Sequence, residues 1–356
     1  MRVVMLVTNP FKPDPRVYKE ARSLVNAGHE VIVLAWDREG KYPREETVEG
    51  IRVVRFGPKS RYGSFFDFLV KLPVFYIKAF IFMAKKDFDA IHTHDFDTAF
   101  LGLLFKYIKG KKWVYDVHDL YESFVQSMIV KRLIQKIDSY FIRMADVVIT
   151  VNYEMTRILS QRARPKETLV VFNTVNPLKM IVKKGKGFTV FYGGVLSRGR
   201  FIEEISKIAR ELGVELRVAG GGVLENIIRE SGAIFLGYLP HDKALRELAR
   251  AHLTFILYDP SVLNNRIASP NKLFEAMCLK TPVLVVKETL PEKLAEKFVI
   301  PVEYSEENVK RTLEYLRNNP KIIRKKGHLG RKIFLKNYTW DVMEKRLLKL
   351  YSEVLK

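Results

Sequence analysis

The amino-acid sequence predicts an α/β protein built from two tandem, Rossmann-like, doubly wound parallel sheets that face each other across a cleft. Three observations lead to this prediction. A chain of 356 residues is long enough for about two domains. Its hydrophobic fraction of 47% and charged fraction of 28% are typical of a folded globular protein and exclude disordered and fibrous classes. Short apolar runs alternate with amphipathic segments along nearly the whole chain, which is the pattern of a parallel sheet covered by helices on both faces.

The first half begins with a short apolar run, residues 3–7, which is too short for a signal peptide and favours a buried strand. A segment with helical spacing, residues 17–27, follows, and Gly28 is placed to end that helix. The same alternation predicts further strands at 31–35, 51–56, 90–92, 113–117, 147–151 and 169–172, and further helices at 65–84, 99–108 and 129–144. We assign these elements to a first domain over residues 1–172.

A second set of elements follows residues 173–186, a segment with one proline, one glycine and four lysines but no clear periodicity. We interpret this segment as a linker. Beyond it the pattern predicts strands at 189–193, 216–219, 234–236, 253–257 and 283–286, and helices at 202–212, 224–230, 243–250 and 271–279. These elements predict a second domain over residues 187–339. Ligands of such sheets bind beyond the carboxyl ends of the strands.

The composition limits the partners and the compartment. The formal charge is +21, and because the excess is spread along both halves we expect phosphorylated small molecules or an anionic membrane surface rather than nucleic acid. The densest run, residues 321–336, has seven basic and no acidic side chains and favours a solvated helix face. A single cysteine, Cys278, excludes an internal disulfide and indicates a reducing, cytoplasmic compartment. The low number of glutamines in a charge-rich chain suggests a thermophilic source. The oligomeric state stays open.

Residues 65–84 form an unusually aromatic segment. Charged residues and Pro73 interrupt it, which argues against a transmembrane span and favours an amphipathic helix. Packing in the core and shallow insertion at a membrane surface are both open interpretations of its apolar face.

Glycines follow two predicted strands of the second half. Gly193 and Gly194 end the first of these strands, and Gly220 and Gly221 follow the next one. Glycine allows a phosphate to approach the backbone closely, and a following helix offers amide donors and a positive dipole end. With Arg200 nearby, the two turns favour a phosphate site over ordinary strand-to-helix turns.

A second candidate site begins at Ser269. We predict that Ser269 caps a helix with Pro270 at its first position, so that the amides of the first turn are available to a ligand. Lys272 lies where the helix dipole disfavours a cation, which is explained if an anionic ligand neutralises it. Glu275, one turn further, could accept hydrogen bonds from a ribose diol. A surface lysine and an ordinary glutamate near the helix start are the alternative.

Several sequence blocks resemble glycosyltransferase family 4, also called group 1, and in particular a subset with the sequence PNKLFE. In the second half these blocks are GGVLSRGR at 193–200, AGGG at 219–222, LGYLP at 236–240 and SPNKLFEAMCLKTPV at 269–283. In the first half they are DPRVYKEARSLVNAGHEVIVL at 14–34, DAIHTHD at 89–95 and YDVHDLYE at 115–122. The resemblance covers nearly the whole chain in order. It implies the GT-B fold, with an acceptor-side first domain, a nucleotide-sugar donor domain, and a last helix at about 340–356 that returns to the first domain.

The resemblance also implies roles for individual residues. Glu275 matches the last glutamate of the family's E-x7-E motif and would hold the donor ribose, while Arg200 and Lys272 would bind the diphosphate. Asn271, with the backbone around Ser269 and Pro270, would face the diphosphate and the transferred sugar. His118 matches a first-domain histidine that approaches that sugar, although a core histidine is the alternative. The chain departs from the family pattern at Ile267, where the first glutamate is usual, and at Val195, where arginine is frequent.

The implied reaction is retaining transfer of a sugar from a nucleoside-diphosphate sugar to a lipid-linked, polysaccharide or other cell-envelope acceptor. Because side chains and helix ends can stabilise the departing diphosphate, we expect neither a metal nor a cofactor. Asp95 and Asp97 resemble a D-x-D metal motif, but a loop and helix-cap role is favoured.

On the acceptor side we single out Asp14 and Arg16, which follow the first strand, and Asp119, which we expect to cap or orient a neighbour. Arg16 could bind an acceptor phosphate or could pair with Glu20 at i,i+4. Two other functions remain open: a sugar-nucleotide epimerase or glycan phosphorylase of the same fold, and a non-catalytic basic protein that binds membranes or polyanions.

Overall fold

The structure is a computed structural model that describes residues 1–12, 14–61, 65–178, 180, 182–185 and 187–353. The chain forms two compact units. Unit 1 contains Met1–Phe172 and the described residues from Met343 onward, and unit 2 contains Asn173–Val342. The first division falls at the residue where the sequence predicts the end of the first domain.

Unit 1 is built on an eight-stranded sheet with the strand order β3-β4-β2-β1-β5-β6-β7-β8. Its pairs are parallel apart from β3 with β4, which is antiparallel. The strands are β1 (Arg2–Val7), β2 (Glu30–Trp36), β3 (Glu45–Val48), β4 (Ile51–Phe56), β5 (Ala90–His94), β6 (Lys112–Val117), β7 (Val147–Thr150) and β8 (Thr168–Val170).

Helices cover this sheet. They are α1 (Pro15–Asn26), α2 (Phe65–Ala84), α3 (Phe96–Lys109), α4 (Met128–Met144) and α5 (Tyr153–Ala163), with a 3₁₀ turn at Tyr121–Phe124. Helix α5 was not predicted from the sequence, although Met155, Leu159 and Ala163 recur on one buried face and Asn152 caps its first turn at 2.8 Å. Strand β3 was not predicted either, because this short edge strand is acidic and half-exposed and has no apolar run.

Unit 2 has a six-stranded sheet with the order β11-β10-β9-β12-β13-β14, all parallel in the recorded pairs. The strands are β9 (Thr189–Gly193), β10 (Glu215–Ala219), β11 (Ile234–Phe235), β12 (Leu253–Ile256), β13 (Val283–Val286) and β14 (Ile300–Val302). The helices are α6 (Ile202–Leu212), α7 (Glu225–Glu230), α8 (His241–Arg250), α9 (Leu263–Arg266), α10 (Asn271–Cys278), α11 (Leu290–Ala295), α12 (Glu306–Asn318), α13 (Pro320–Asn337) and α14 (Trp340–Glu353). From Met343 onward, α14 belongs to unit 1.

Helices α13 and α2, which the charge and aromatic patterns of the sequence singled out, each have one buried and one exposed face. The basic run at 321–336 lies in α13, whose buried face is formed by Ile323, Gly327, Gly330 and Phe334, so that most of its cations are exposed as predicted. Helix α2 buries Phe75 and leaves apolar side chains exposed on the other side. Among the described residues, no helix has the length and apolar character needed to cross a membrane.

Candidate functional site

A pocket of about 440 Å³ opens in unit 2 at the carboxyl ends of β9 and β10. Parallel strands end at one edge of a sheet, so the loops after β9 and β10 lie side by side there. The lining includes predicted site residues from both glycine turns and from α10, namely Gly193, Gly194, Gly220, Gly221, Lys272 and Glu275.

The two glycine turns are interlocked. Gly220 has φ +141°, and a Cβ atom there would lie 1.8 Å from the carbonyl oxygen of Gly194. The Gly194 amide donates to the carbonyl of Ala219 at 3.0 Å, and the Gly220 amide donates to that of Gly237 at 2.8 Å. Because these amides are used within the fold, the glycines allow a ligand to come close without being the donors themselves.

The helix at the pocket mouth begins one residue later than predicted. Asn271 is the first residue of α10, and Pro270 occupies the N-cap position with an extended ψ of 147°. The prediction that Ser269 is the cap is therefore wrong, because the chain stays extended through the proline before it turns into the helix. Asn271 Oδ1 is buried and has no hydrogen-bond partner among the described residues.

Lys272 is held by aromatic rings. Its Nζ lies 3.9 Å from the centroid of the Tyr192 ring and 5.9 Å from that of Tyr258. Burial lowers the pKa of Lys272, but Tyr258 and Tyr192 outweigh burial and the pKa lies above its usual value, so the ammonium stays charged. A Cβ atom on Gly194 would lie 3.3 Å from this nitrogen, which places the cation directly against the first glycine turn.

A second cation lies on the same aromatic support. The guanidinium carbon of Arg200 is 3.8 Å from the centroid of the Tyr258 ring. Within the described part of the chain, neither Arg200 nor Lys272 has a carboxylate within 4.0 Å. The two positive charges are therefore not neutralised inside the protein and are available to an anion.

Glu275 faces the same pocket and is only 14% exposed. Its Oε1 is 2.8 Å from Nε2 of His241, the first residue of α8. His241 was not among the predicted site residues. The one sequence signal for it is its position directly after the LGYLP block, at the start of α8.

The predicted residues of unit 1 form a separate polar cluster. His118 lies between two carboxylates, with Nε2 2.9 Å from Asp116 Oδ2 and Nδ1 3.2 Å from Asp95 Oδ2. Burial lowers the pKa of His118, but the two carboxylates outweigh burial and hold the pKa well above its usual value. Both ring nitrogens are thus engaged, and the side chain is 21% exposed.

Asp95 orients this histidine. It adopts φ +67°, a strained value for a residue with a side chain, and its Oδ1 accepts the His118 amide at 2.9 Å. Asp95 occupies the N-cap position of α3 but makes no side-chain bond to that helix. Asp119 is exposed, and its amide lies 3.4 Å from the same oxygen.

The acceptor-side candidates Asp14 and Arg16 are used by the fold. Asp14 caps α1 by accepting the amide of Val17 at 3.0 Å. Arg16 is 3% exposed and forms a two-pronged pair with Asp116, at 2.9 and 2.8 Å, and an ion pair with Glu20 at 3.3 Å. Of the two interpretations of Arg16, these contacts favour pairing with Glu20 over a surface phosphate site.

Comparisons with known proteins show the family of the chain. A family model described as a glycosyl transferase 4-like domain matches residues 13–174, and one described as glycosyl transferase-like matches residues 198–349. The chain belongs to the group 1 glycosyltransferases of the GT-B type. A comparison with curated protein sequences gives no significant match.

Solved structures resemble this glycosyltransferase over its whole length. Sucrose-phosphate synthase from Thermosynechococcus elongatus has a TM-score of 0.84 at 17% identity, with 99% of each chain covered. HepE of Anabaena in complex with UDP-glucose has a TM-score of 0.73 at 13% identity, with 99% of each chain covered. An α,α-trehalose-phosphate synthase from Burkholderia vietnamiensis has a TM-score of 0.71 at 11% identity, covering 98% of this chain and 99% of that one. At these identities the likeness establishes the fold.

The structure of the glycosyltransferase thus brings together part of the predicted set of the second half, whereas Ser269, Pro270 and Asn271 are not among the described residues that line the pocket. Glycine turns, Lys272 and Glu275 line one pocket, and Arg200 shares an aromatic neighbour with Lys272. Ile267, at the position where the family usually has a glutamate, is 5% exposed and part of the core. His118 belongs to the polar cluster of unit 1.

Proposed function

We propose that this glycosyltransferase transfers a sugar, with retention at the anomeric carbon, from a nucleoside-diphosphate sugar to a lipid-linked, polysaccharide or other cell-envelope acceptor. The observation that carries the proposal is the half-buried side chain of Lys272, whose ammonium lies against the Gly194 turn without a carboxylate partner among the described residues. A partly desolvated cation in a pocket is stabilised when an anionic ligand binds beside it. The diphosphate of the donor is the anion that fits this position.

The cations of unit 2 explain how the leaving group departs. Negative charge grows on the diphosphate as the bond to the sugar breaks, and fixed positive charges close to it lower the barrier. Lys272 and Arg200 would supply that charge, so transfer needs no divalent metal. Rates measured with and without Mg²⁺ or Mn²⁺ should therefore agree.

Glu275 and Asn271 would hold the rest of the donor. The Glu275 carboxylate accepts two hydrogen bonds from a ribose diol while His241 fixes its orientation at 2.8 Å. The buried, unpartnered Oδ1 of Asn271 would accept a hydroxyl of the transferred sugar. HepE of Anabaena, which has the same fold, was solved with UDP-glucose, and this supports a nucleotide sugar as the donor.

Retention follows if the acceptor attacks from the face that the diphosphate leaves. The acceptor oxygen bonds to the anomeric carbon as the bond to the phosphate oxygen breaks, and that phosphate oxygen takes the hydroxyl proton. We propose, as the family resemblance implies, that His118 approaches the transferred sugar. Since both of its ring nitrogens already face carboxylates, it is not placed to act as a free base.

An anionic membrane surface is the proposed place of the acceptor. Helix α2 exposes Phe66, Ile77 and Ile81 at 78%, 59% and 47%. Beside its second half lies an open basic pocket lined by Arg44, Lys59, Lys78, Lys85 and Lys86. An exposed apolar helix face with adjacent cations is suited to the boundary between headgroups and acyl chains.

Flotation with anionic vesicles at low salt tests the membrane proposal. We expect the wild-type protein to float and the double variant Ile77→Asp/Ile81→Asp to stay in the soluble fraction. The matched control is Tyr315→Asp, which changes an exposed aromatic residue of unit 2. A wild-type protein that stays soluble would remove the membrane from the proposal.

Turnover of nucleotide sugars tests the transferase proposal. We expect Glu275→Ala and Arg200→Ala to lower hydrolysis or transfer by roughly 100-fold with the fold intact. Arg198→Ala is the control, because Arg198 belongs to the same loop but is exposed. Full activity of both variants with the right donor would show that the site is assigned wrongly.

A further inference from the structure

A second cluster of ligand-type side chains lies in the interior of unit 1. One member, Asp116, also bonds His118, and the other three have no role in the proposed transfer. It consists of Glu20, His92, His94 and Asp116, all of which are at most 3% exposed. One ligand atom from each of the four lies within 4.8 Å of the others. Nitrogen and carboxylate oxygen atoms this close together form the type of donor set that binds zinc and related metals.

The sequence places these donors on rigid elements. His92 and His94 are two residues apart on β5, so both side chains leave the same face of the sheet. Their rings are stacked, with centroids 4.4 Å apart and 24° between the planes. Glu20 comes from α1 and approaches the pair with Oε2 at 3.8 Å from His92 Nε2.

The histidines are oriented as metal-binding histidines usually are. Nδ1 of His92 is 2.9 Å from the hydroxyl of Tyr351, and Nδ1 of His94 is 3.3 Å from Asp116 Oδ2. A metal-binding imidazole usually has its second nitrogen bonded to such a partner, which fixes the tautomer and the ring. Nε2 of both histidines is left without a hydrogen-bond partner among the described residues, and that of His92 faces Glu20.

The ligand atoms of the cluster that lack hydrogen bonds are the ones that a metal ion would use. Nε2 of His92, Nε2 of His94 and Oε2 of Glu20 are buried without a hydrogen-bond partner among the described residues, while Oε1 of Glu20 forms the ion pair with Arg16 at 3.3 Å. Buried polar atoms without hydrogen-bond partners are uncommon in folded proteins. Three of them in one place indicate that a group absent from the chain itself completes the cluster.

Charge favours a cation as that group. Two cations, Arg16 and His118, face the carboxylates around the cluster. These carboxylates are those of Asp116, Asp95 and Glu20. The carboxylates exceed the two cations by one when all are ionised. Positive charge next to Glu20 would offset this excess of one negative charge in a region that excludes water.

We propose that Glu20, His92 and His94 bind a divalent transition metal, with zinc the best match to two imidazoles and a carboxylate, and that Asp116 and Tyr351 orient the two histidines. The ion would join α1 to β5 through its ligands, and Tyr351 of α14 would support it through His92. The site is independent of the nucleotide-sugar pocket, so either proposal can fail without the other.

Metal analysis and cobalt spectroscopy on the purified full-length protein test the site. We expect about one zinc per chain as purified, and after metal removal about one Co²⁺ per chain with visible absorption typical of low coordination number, displaced by Zn²⁺. Glu20→Gln and His92→Gln should abolish this absorption. The control His252→Gln removes a histidine of unit 2 and should leave it unchanged.

A milder variant separates ligation from general folding. Tyr351→Phe keeps the ring of α14 and removes only the hydroxyl that contacts His92, so Co²⁺ affinity should fall by roughly 10-fold while the fold stays intact. If the wild-type protein contains no metal, binds no Co²⁺ and shows no thermal shift with Zn²⁺, the proposal is wrong and a buried water fills the cluster. Cobalt binding that survives both ligand variants would also overturn it.

Discussion

The ammonium nitrogen of Lys272 lies 3.9 Å from the centroid of the Tyr192 ring. An aromatic face attracts a cation without neutralising it, whereas a carboxylate partner would cancel most of its charge. Together with Arg200 on the ring of Tyr258, this contact keeps two positive charges fixed and unpaired by carboxylates beside the glycine turns. The arrangement supplies the positive charge that the proposed diphosphate site needs in a chain without the family's usual arginine and first glutamate.

Replacement of Tyr258 tests the aromatic support. Tyr258→Phe keeps the ring and should change nucleoside-diphosphate affinity little, whereas Tyr258→Leu should weaken it by roughly 5- to 30-fold, the equivalent of about 1–2 kcal/mol for a buried cation on a ring. Isothermal titration calorimetry measures both variants. Equal affinities of the Tyr258→Phe and Tyr258→Leu variants would show that the ring does not hold the cations.

His241 is expected to act on the donor through Glu275. His241→Ala should raise KM for the nucleotide sugar by roughly 3- to 10-fold and leave kcat nearly unchanged, because it removes a contact that orients ground-state binding. His241→Gln, which can still donate to Glu275, should restore part of the loss. His328→Ala is the control, since His328 is an exposed histidine on α13. A fall in kcat without a change in KM would contradict this role.

The interlocked glycine turns predict that replacing glycine by alanine weakens nucleotide binding at one position and not at another. In Gly220→Ala the new Cβ would meet the Gly194 carbonyl at 1.8 Å, so the turn must move and nucleotide binding should fall by more than about 10-fold. Gly213→Ala is the matched control, because its φ is also positive, +62°, but nothing lies within 4 Å of its Cβ position. It should lose about 1 kcal/mol of stability and bind nucleotide normally. Similar binding by the two variants would contradict the turn's role.

Asp138 predicts a pH dependence of stability in unit 1. Burial raises the pKa of this carboxyl to about 6, against the opposing effects of Tyr115 and Arg162, which both bond to it at 2.7 Å. A raised folded-state pKa means that the folded state holds the proton longer than the unfolded state. The resulting stability is present below about pH 4 and is lost as the pH rises through about 6.

Asp138→Asn removes this titration. Relative to the variant, the wild-type protein should lose about 2–3 kcal/mol of unfolding free energy between about pH 4 and pH 7, measured by urea unfolding. Asp242→Asn, a change at an exposed carboxyl, should show the same pH dependence of the unfolding free energy as the wild type. If Asp138→Asn also showed the wild-type pH dependence, the buried carboxyl would not titrate in this range.

Much of the fold follows from the apolar pattern of the sequence. The central strands are uninterrupted apolar runs because both faces of a parallel sheet are covered, and β1 and β2 are buried over nearly their whole length. Strand β5 is longer than the predicted 90–92 because His94, a polar residue, is buried by partners that only the tertiary structure supplies. The edge strand β3 has no such pattern and could not be predicted in this way.

The site was predictable in its residue types and less so in its contacts. The glycines are recognisable because they allow a phosphate to approach the ends of strands. Lys272 is recognisable because a cation is unfavourable at a helix start, and Glu275 because it can accept hydrogen bonds from a diol. The aromatic support of the cations and the bond from His241 to Glu275 join residues that are far apart in the chain, so spacing gives no sign of them. Arg16 was ambiguous for the same reason, since its partner Asp116 is 100 residues away.

Titration of the wild-type protein and of Lys272→Met with UDP, GDP, ADP and TDP tests the central claim most directly. At least one diphosphate should bind the wild type at one site per chain, and Lys272→Met should weaken that binding by roughly 10-fold or more with its thermal stability retained. Lys243→Met, at an exposed lysine of α8, should bind as the wild type does. No binding by any diphosphate, or equal affinity of wild type and Lys272→Met, would contradict the account.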